Sequence, residues 1–328
     1  MTDHLLRRAA DAALEATIVG SFTRIGPAVR RPLWGWQPVP ADALTGQVVV
    51  VTGATSGLGK VIATDVGRAG ATVEVVGRNE DRGAEVAAEL RDRGVAATFR
   101  RCDLSDLGDV RRLAEQLRAD HERIATVVHN AGALLDHREV TDDGLEVTWA
   151  TMVVAPHLLT RLLADRLDRA VWMSSGGMYL QDVDLDDLGW ASRRWSGSRV
   201  YAQAKRAQLD LVAEATARHE APFQVALHPG WADTPGVEAA LPGFRTIMGP
   251  LLRDPEAGAD TAVWLTAAHE DQLEAGAFYL DRRPRGTVRW PGTGTSPPTD
   301  GGCAPWSTSR RASPDPGDTV TPWGMIGA

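Results

Sequence analysis

Val48-Val49-Val50-Val51-Thr52-Gly53-Ala54-Thr55-Ser56-Gly57-Leu58-Gly59 decides the reading of this 328-residue chain. The valine run suits a strand buried on both faces, and glycines end it. Lys60–Ala69 then continues with helical character. A strand, a glycine-rich turn and a helix N-terminus in that order make an anion site from backbone N–H groups and the helix dipole. Gly53 permits the tight turn, Gly57 a close approach of backbone to pyrophosphate, and Gly59 close helix packing. The stretch predicts a nucleotide-binding turn built from Gly53, Thr55, Ser56, Gly57, Leu58 and Gly59.

Outward from this turn, short apolar runs alternate with helical stretches. Gln47–Thr52, Thr72–Val76, Ala96–Arg100, Ile124–His129, Ala170–Ser174, Phe223–His228 and Gly276–Leu280 read as strands. Ala- and Leu-rich segments such as Ala84–Arg93 and Val110–Asp120 lie between them. This pattern predicts a single α/β domain over residues 46–290, with a doubly wound, mostly parallel seven-stranded sheet of Rossmann type. Its ligands bind beyond the C-terminal strand ends.

Residues 1–45 form a helical extension in which Leu5, Leu6, Ala9, Ala13, Leu14, Ile18 and Phe22 roughly follow one stripe. The stripe is expected to pack on the domain, with a membrane-surface or partner helix as the alternative. Residues 291–328 are rich in Pro, Gly, Ser and Thr and are expected to be disordered.

A net charge of −8 and a pI near 5.5 argue against a nucleic-acid surface. Cys102 and Cys303 make neither a disulfide framework nor a metal cluster. No apolar run approaches the roughly 18 residues of a membrane span. Asp11 and Glu15 interrupt any export signal after Arg7-Arg8, so a cytoplasmic location is expected.

Lysine is rare here: Lys60 and Lys205 are the only two among 35 basic residues. Lys205 stands four residues after Tyr201, one of three tyrosines. On a helix the two share a face, and an ammonium beside a phenol favours phenolate, lowering its pKa toward that of an acid–base catalyst.

The glycine spacing resembles the TGxxxGxG turn of the short-chain dehydrogenase/reductase superfamily. Further similarity follows in order: Asp103 with Leu104 after the third strand, Asn130-Ala131-Gly132 after the fourth, and Ser175 after the fifth. Tyr201 with Lys205 fits the family's YxxxK, and Pro229-Gly230 follows the sixth strand. His129 replaces the first Asn of the family's NNAG. The runs Ser174–Met178, His228–Val237 and Gly258–Leu265 resemble the dehydrogenase/reductase family member 12-like subgroup.

The resemblance implies an oxidoreductase moving a hydride between a nicotinamide and a carbonyl or alcohol. Tyr201 would exchange the proton, Lys205 would lower the phenol pKa and bind the nicotinamide ribose, and Ser175 would hold the substrate oxygen. Cofactor contacts would further include Arg78, Asp103, Leu104, Asn130, Ala131, Gly132, Pro229, Gly230 and Thr234. At the end of the second strand, Gly77 replaces the acid an NAD site wants and Arg78 suits a 2′-phosphate, so NADP is expected over NAD. One departure stands out: alignment places Met152 where the family has an Asn that holds a relay water. A cofactor-binding sensor with degraded catalysis is therefore the alternative.

Between Ser175 and Tyr201, Asp182, Asp184, Asp186, Asp187, Trp190 and Trp195 suggest either an acidic loop with aromatic anchors at the site mouth or plain surface. Residues 231–255 correspond to the family's substrate lid. Val237, Leu241, Phe244, Ile247, Met248, Leu251 and Leu252 give it apolar surface, which suits a lipophilic aldehyde or ketone, or else core or subunit packing. A homo-oligomer is implied by resemblance alone.

Overall fold

The computed structural model describes residues 2–233 and 242–289. Three helices lead in: α1 (Thr2–Ala16), α2 (Ile18–Phe22) and α3 (Ile25–Trp34). The valine run then forms β1 (Val48–Thr52), followed by α4 (Gly57–Arg68), β2 (Thr72–Gly77), α5 (Glu80–Asp92) and β3 (Ala97–Arg101). After α6 (Leu107–Asp120) and β4 (Ile124–His129), a helix runs from α7 (Val147–Trp149) through a π-helical stretch, Ala150–Val154, into α8 (Ala155–Leu162). The second half holds β5 (Leu167–Met173), α9 (Gly197–Ala217) and β6 (Phe223–Leu227). It closes with α10 (Pro242–Met248), α11 (Pro255–Ala267), β7 (Phe278–Leu280) and β8 (Arg283–Arg285).

The strands lie in the order β3-β2-β1-β4-β5-β6-β7-β8, parallel as far as β7. This is the doubly wound sheet that the apolar runs predict, with one strand more than the seven expected. The extra strand, β8, turns back antiparallel through Asp281 and Arg282, both at positive φ. Its Arg-Pro-Arg sequence has no apolar run to announce it, and proline is tolerated because the strand is at the edge.

The four valines are needed because both faces of β1 are covered. Val49 and Val51 pack with Ile62, Val66 and Ala262 on one side, whereas Val50 packs with Val127 and Leu113 on the other. Strand order reverses between β1 and β4, and the sites named by the sequence gather at the C-terminal edge around this point.

The leading helices are fastened by buried charge. Arg30 reaches Asp11 at 2.7 Å, Glu15 at 2.7 Å and Asp281 at 2.6 Å. Asp281 also receives Arg253 at 2.6 Å, and Asp11 receives Arg285 at 3.0 Å. The cluster thereby joins α1 and α3 to the β7–β8 turn. Of the apolar stripe, Phe22 is buried while Leu5 and Leu6 are 59% and 69% exposed. Among the described residues no helix is long and apolar enough to cross a membrane. Thr234, Val237 and Leu241 of the expected lid, and residues 291–328 with Cys303, lie outside the described residues.

Burial pushes the Asp11 carboxyl up, but hydrogen bonds from Arg285 and Arg30 outweigh it and hold the group below its ordinary 3.8. A depressed folded pKa gives stability that is complete above the unfolded value and lost as pH falls through the folded one. Asp11→Asn should therefore cost about 3–5 kcal/mol in urea unfolding at neutral pH, the usual cost of breaking a buried pair. The gap from wild type should narrow as the pH is taken below 3.8.

Candidate active site

The glycine turn is shaped by what its neighbours exclude. Gly53 and Gly57 have φ of 65° and 53°, where a side chain is strained. A Cβ on Gly59 would sit 2.3 Å from the Gly53 oxygen and 2.4 Å from Asn130 Nδ2. Ser56, at the N-cap of α4, makes no side-chain hydrogen bond to the helix, which leaves the first-turn N–H groups beside Leu58 available to an anion.

Thr52 clasps this turn to β4. Its hydroxyl accepts from the backbone N–H groups of Asn130 (3.1 Å) and Ala131 (3.2 Å). Asn130 Nδ2 donates in return to the carbonyls of Thr52 (3.0 Å) and Gly53 (3.3 Å). The Asn130 amide is thus spent on the main chain, and Gly132 beyond it is exposed. His129 is buried against Thr160 and pushed down to about 3 by burial, which keeps it neutral.

At the next strand end, a Cβ on Gly77 would lie 2.5 Å from Thr55 Cγ2, so Thr55 occupies the space an acidic side chain would need. Arg78 is exposed, with no ion pair among the described residues. Asp103 Oδ1 accepts from the Ser105 N–H (2.9 Å) and hydroxyl (2.7 Å), and Leu104 is buried. Burial pushes the neighbouring Cys102 thiol to about 12, which makes it unreactive.

Ser175 caps the 3-10 turn Gly176–Leu180, accepting from the Gly177 N–H at 3.2 Å. Tyr201 and Lys205 stand on adjoining turns of α9, and the Ser175 hydroxyl lies near enough to the Tyr201 phenol to favour its phenolate. Ser174 ties the two elements together by donating to the Lys205 carbonyl at 2.8 Å. Lys205 Nζ donates to the Met173 carbonyl at 2.5 Å and lies 5.6 Å from the Tyr201 ring centroid. Ser175, Tyr201 and Lys205 are therefore brought together.

Their electrostatics differ from the expectation. Burial pushes the Tyr201 phenol above its ordinary 10, offset only in part by the nearby Ser175 hydroxyl. Lys205 is itself depressed to about 7 by burial. An ammonium that is costly to hold can take up or release a proton near neutral pH.

Met152 is fully buried in the π-helical stretch, a distortion common near functional sites. Its sulfur accepts from the Ala133 N–H at 3.4 Å and its carbonyl from Gln208 Nε2 at 2.7 Å. Gln208, one turn past Lys205, was not singled out by the sequence, although its spacing from the lysine was the available signal. Its Oε1 has no hydrogen-bond partner among the described atoms.

Pro229 and Gly230 follow β6, with Gly230 at φ 79° directly under the Arg253 guanidinium. Thr234, the last expected contact, lies outside the described residues. In the acidic loop, Asp184 pairs with Arg193, Asp187 caps Ala191 and Ser192, and Arg193 lies 3.6 Å over the Trp190 ring. Trp195 donates to Glu146 at the head of α7. These residues organise the loop itself. No group of metal-ligating residues occurs among the described residues.

The profile of the short chain dehydrogenase family matches residues 47–177. Human dehydrogenase/reductase SDR family member 12 is 35% identical over 273 residues, 80% of this chain and 86% of that protein. Mouse polyprenol dehydrogenase is 32% identical over 307 residues, 86% of this chain and 90% of that one. The solved structure of the angucycline C-6 ketoreductase LanV with bound NADP superposes with a TM-score of 0.58 at 25% identity, covering 72% and 94% of the two chains. With the sheet order, the glycine turn and this extent of similarity together, the chain belongs to the short-chain dehydrogenase/reductase family and is an oxidoreductase of CH–OH or carbonyl groups.

Proposed function

We propose that this protein uses NADP(H) to interconvert a lipophilic aldehyde or ketone and its alcohol. The observation that carries the reading is the gathering of Ser175, Tyr201 and Lys205 at the C-terminal sheet edge, where Ser174 and Met173 tie the end of β5 to Lys205 on α9. NADPH, when bound, supplies the hydride. Tyr201 gives its phenolic proton to the substrate oxygen, and its raised pKa keeps that proton in place until charge develops. The Ser175 hydroxyl donates to the same oxygen and stabilises the developing charge. Lys205 holds the ribose hydroxyls and restores the proton.

The choice of NADP rests on Gly77 and Arg78. Thr55 fills the space of a ribose-binding acid, and the unpaired Arg78 guanidinium suits a phosphate. The choice of a lipophilic substrate rests on buried Leu252 and half-buried Met248 and Leu251 in the segment after β6, and on the polyprenol substrate for which one relative is named. Residues 46–290 would then be the catalytic domain. A second reading, an NADP(H) sensor without efficient turnover, is favoured by one observation: Met152 has no side-chain amide to hold a relay water.

The two readings separate on NADPH oxidation with a panel of lipophilic aldehydes and ketones. Turnover is expected, and Tyr201→Phe should lower kcat by about 10²–10⁴-fold, the usual weight of a general acid, with NADPH affinity retained. Binding without turnover in the native chain would favour the sensor.

Two predictions concern the cofactor. Arg78→Ala should weaken NADPH about 10–100-fold and leave NADH unchanged, the size expected for one charged hydrogen-bonding contact. Lys205, near 7 when free, should be held as ammonium by the anionic cofactor. Calorimetry in buffers of different ionisation enthalpy should then show proton uptake on NADPH binding above about pH 7, with affinity falling as pH rises. Lys205→Met should abolish the uptake.

A further inference from the structure

Residues 21–23 of the leading helices reach the catalytic edge. The Phe22 carbonyl accepts from the Trp231 N–H at 2.7 Å and from Arg253 Nε at 3.0 Å. Arg253 also donates to the carbonyls of Ser21 (2.7 Å), Thr23 (3.2 Å) and Pro229 (3.2 Å). The Trp231 and Arg253 backbones pair with each other, with Arg253 N–H donating to the Trp231 carbonyl at 2.8 Å. The segment leaving β6 and the segment entering α11 therefore meet on one clasp that residues 21–23 complete.

The Phe22 side chain works on the other wall. It is buried, perpendicular to His228 at 4.3 Å and to Trp231 at 5.7 Å, and stacked on Tyr179 at 6.3 Å. A Cβ on Gly176, the residue after Ser175, would lie 2.9 Å from the Phe22 ring and 3.1 Å from His228 Nε2. His228 Nδ1 accepts from the Gly230 N–H at 3.1 Å, and burial, with Arg253, Arg289 and Arg30 nearby, keeps the ring neutral. Its proton is then on Nε2, which has no oxygen or nitrogen partner among the described residues and has the Phe22 ring as its neighbour.

We propose that Phe22 is a positioning residue of this active site, packed behind Gly176 and Trp231 so that it fixes the Ser175 turn and the base of the β6 loop. The leading helices are on this account a part of the catalytic unit, and their buried ion cluster serves to hold Phe22 in place. Removing the ring leaves a cavity behind Ser175, and proximity effects make rates sensitive to small displacements of a catalytic group. The kinetic part rests on the proposed function; the structural part does not.

The test uses the full chain with Phe22→Leu and Phe22→Ala, followed by steady-state kinetics, NADPH binding and hydrogen–deuterium exchange of residues 174–180 and 228–233. Both variants should lower kcat, by about tenfold or more in Phe22→Ala, with Phe22→Leu between it and wild type. The loss in kcat should exceed any loss in NADPH affinity, while exchange accelerates in both peptides. If Phe22→Ala does not fold, Phe22→Leu carries the same comparison. Unchanged kcat, or faster exchange confined to α1–α3, would overturn the proposal. If the native chain binds NADPH without turnover, the functional reading fails on its own; exchange at 174–180 then decides, acceleration supporting Phe22 as a buttress and no change overturning it.

Discussion

The clasp between Thr52 and Asn130 is the contact on which the catalytic edge depends. It joins β1 to β4 where the strand order reverses, and both halves of the sheet diverge from that line. Asn130 closes over the glycine turn so tightly that Gly59 has no room for a Cβ. From the same line β5 and β6 follow in register, so their ends deliver Ser175 and Pro229 to a common edge. The helix α9 is tied to that edge through Ser174 and Lys205. A loss at Thr52 would therefore move the cofactor turn and the catalytic wall relative to each other.

Desolvation sets the chemistry of this edge. It raises Tyr201 and depresses Lys205, and together with neighbouring positive charge it keeps His129 and His228 neutral. A phenol held protonated beside a lysine near neutrality is suited to giving a proton when an alkoxide forms. The same dryness makes unpaired polar atoms expensive, which explains why so many side chains at this edge are spent on carbonyls.

Much of this was legible in the sequence because it is local. Four valines state that both faces of β1 are covered, and glycine spacing states where backbone must come close. Tyr201 and Lys205 share one helix, so their proximity follows from a four-residue spacing. Three features were not legible. β8 is an edge strand without an apolar signal. The clasp of Phe22 with Arg253 joins residues 231 positions apart in the chain, and nothing near either announces the other. The balance of burial against charge at Tyr201 depends on what surrounds the phenol, which spacing alone does not report. Gln208 lies between these cases: its place on the lysine helix was readable, but its bond to the Met152 carbonyl depends on the π-helical turn.

The central claim is that the chain transfers hydride at this edge, and following the hydride itself tests it most directly. The protein would be incubated with NADPH deuterated at the transferring C4 position and a lipophilic ketone, and the alcohol analysed by mass spectrometry and NMR. The account predicts one deuterium at the carbinol carbon in the native protein and almost none with Tyr201→Phe. Bound NADPH with no labelled alcohol across the panel, or equal label in Tyr201→Phe, would contradict it.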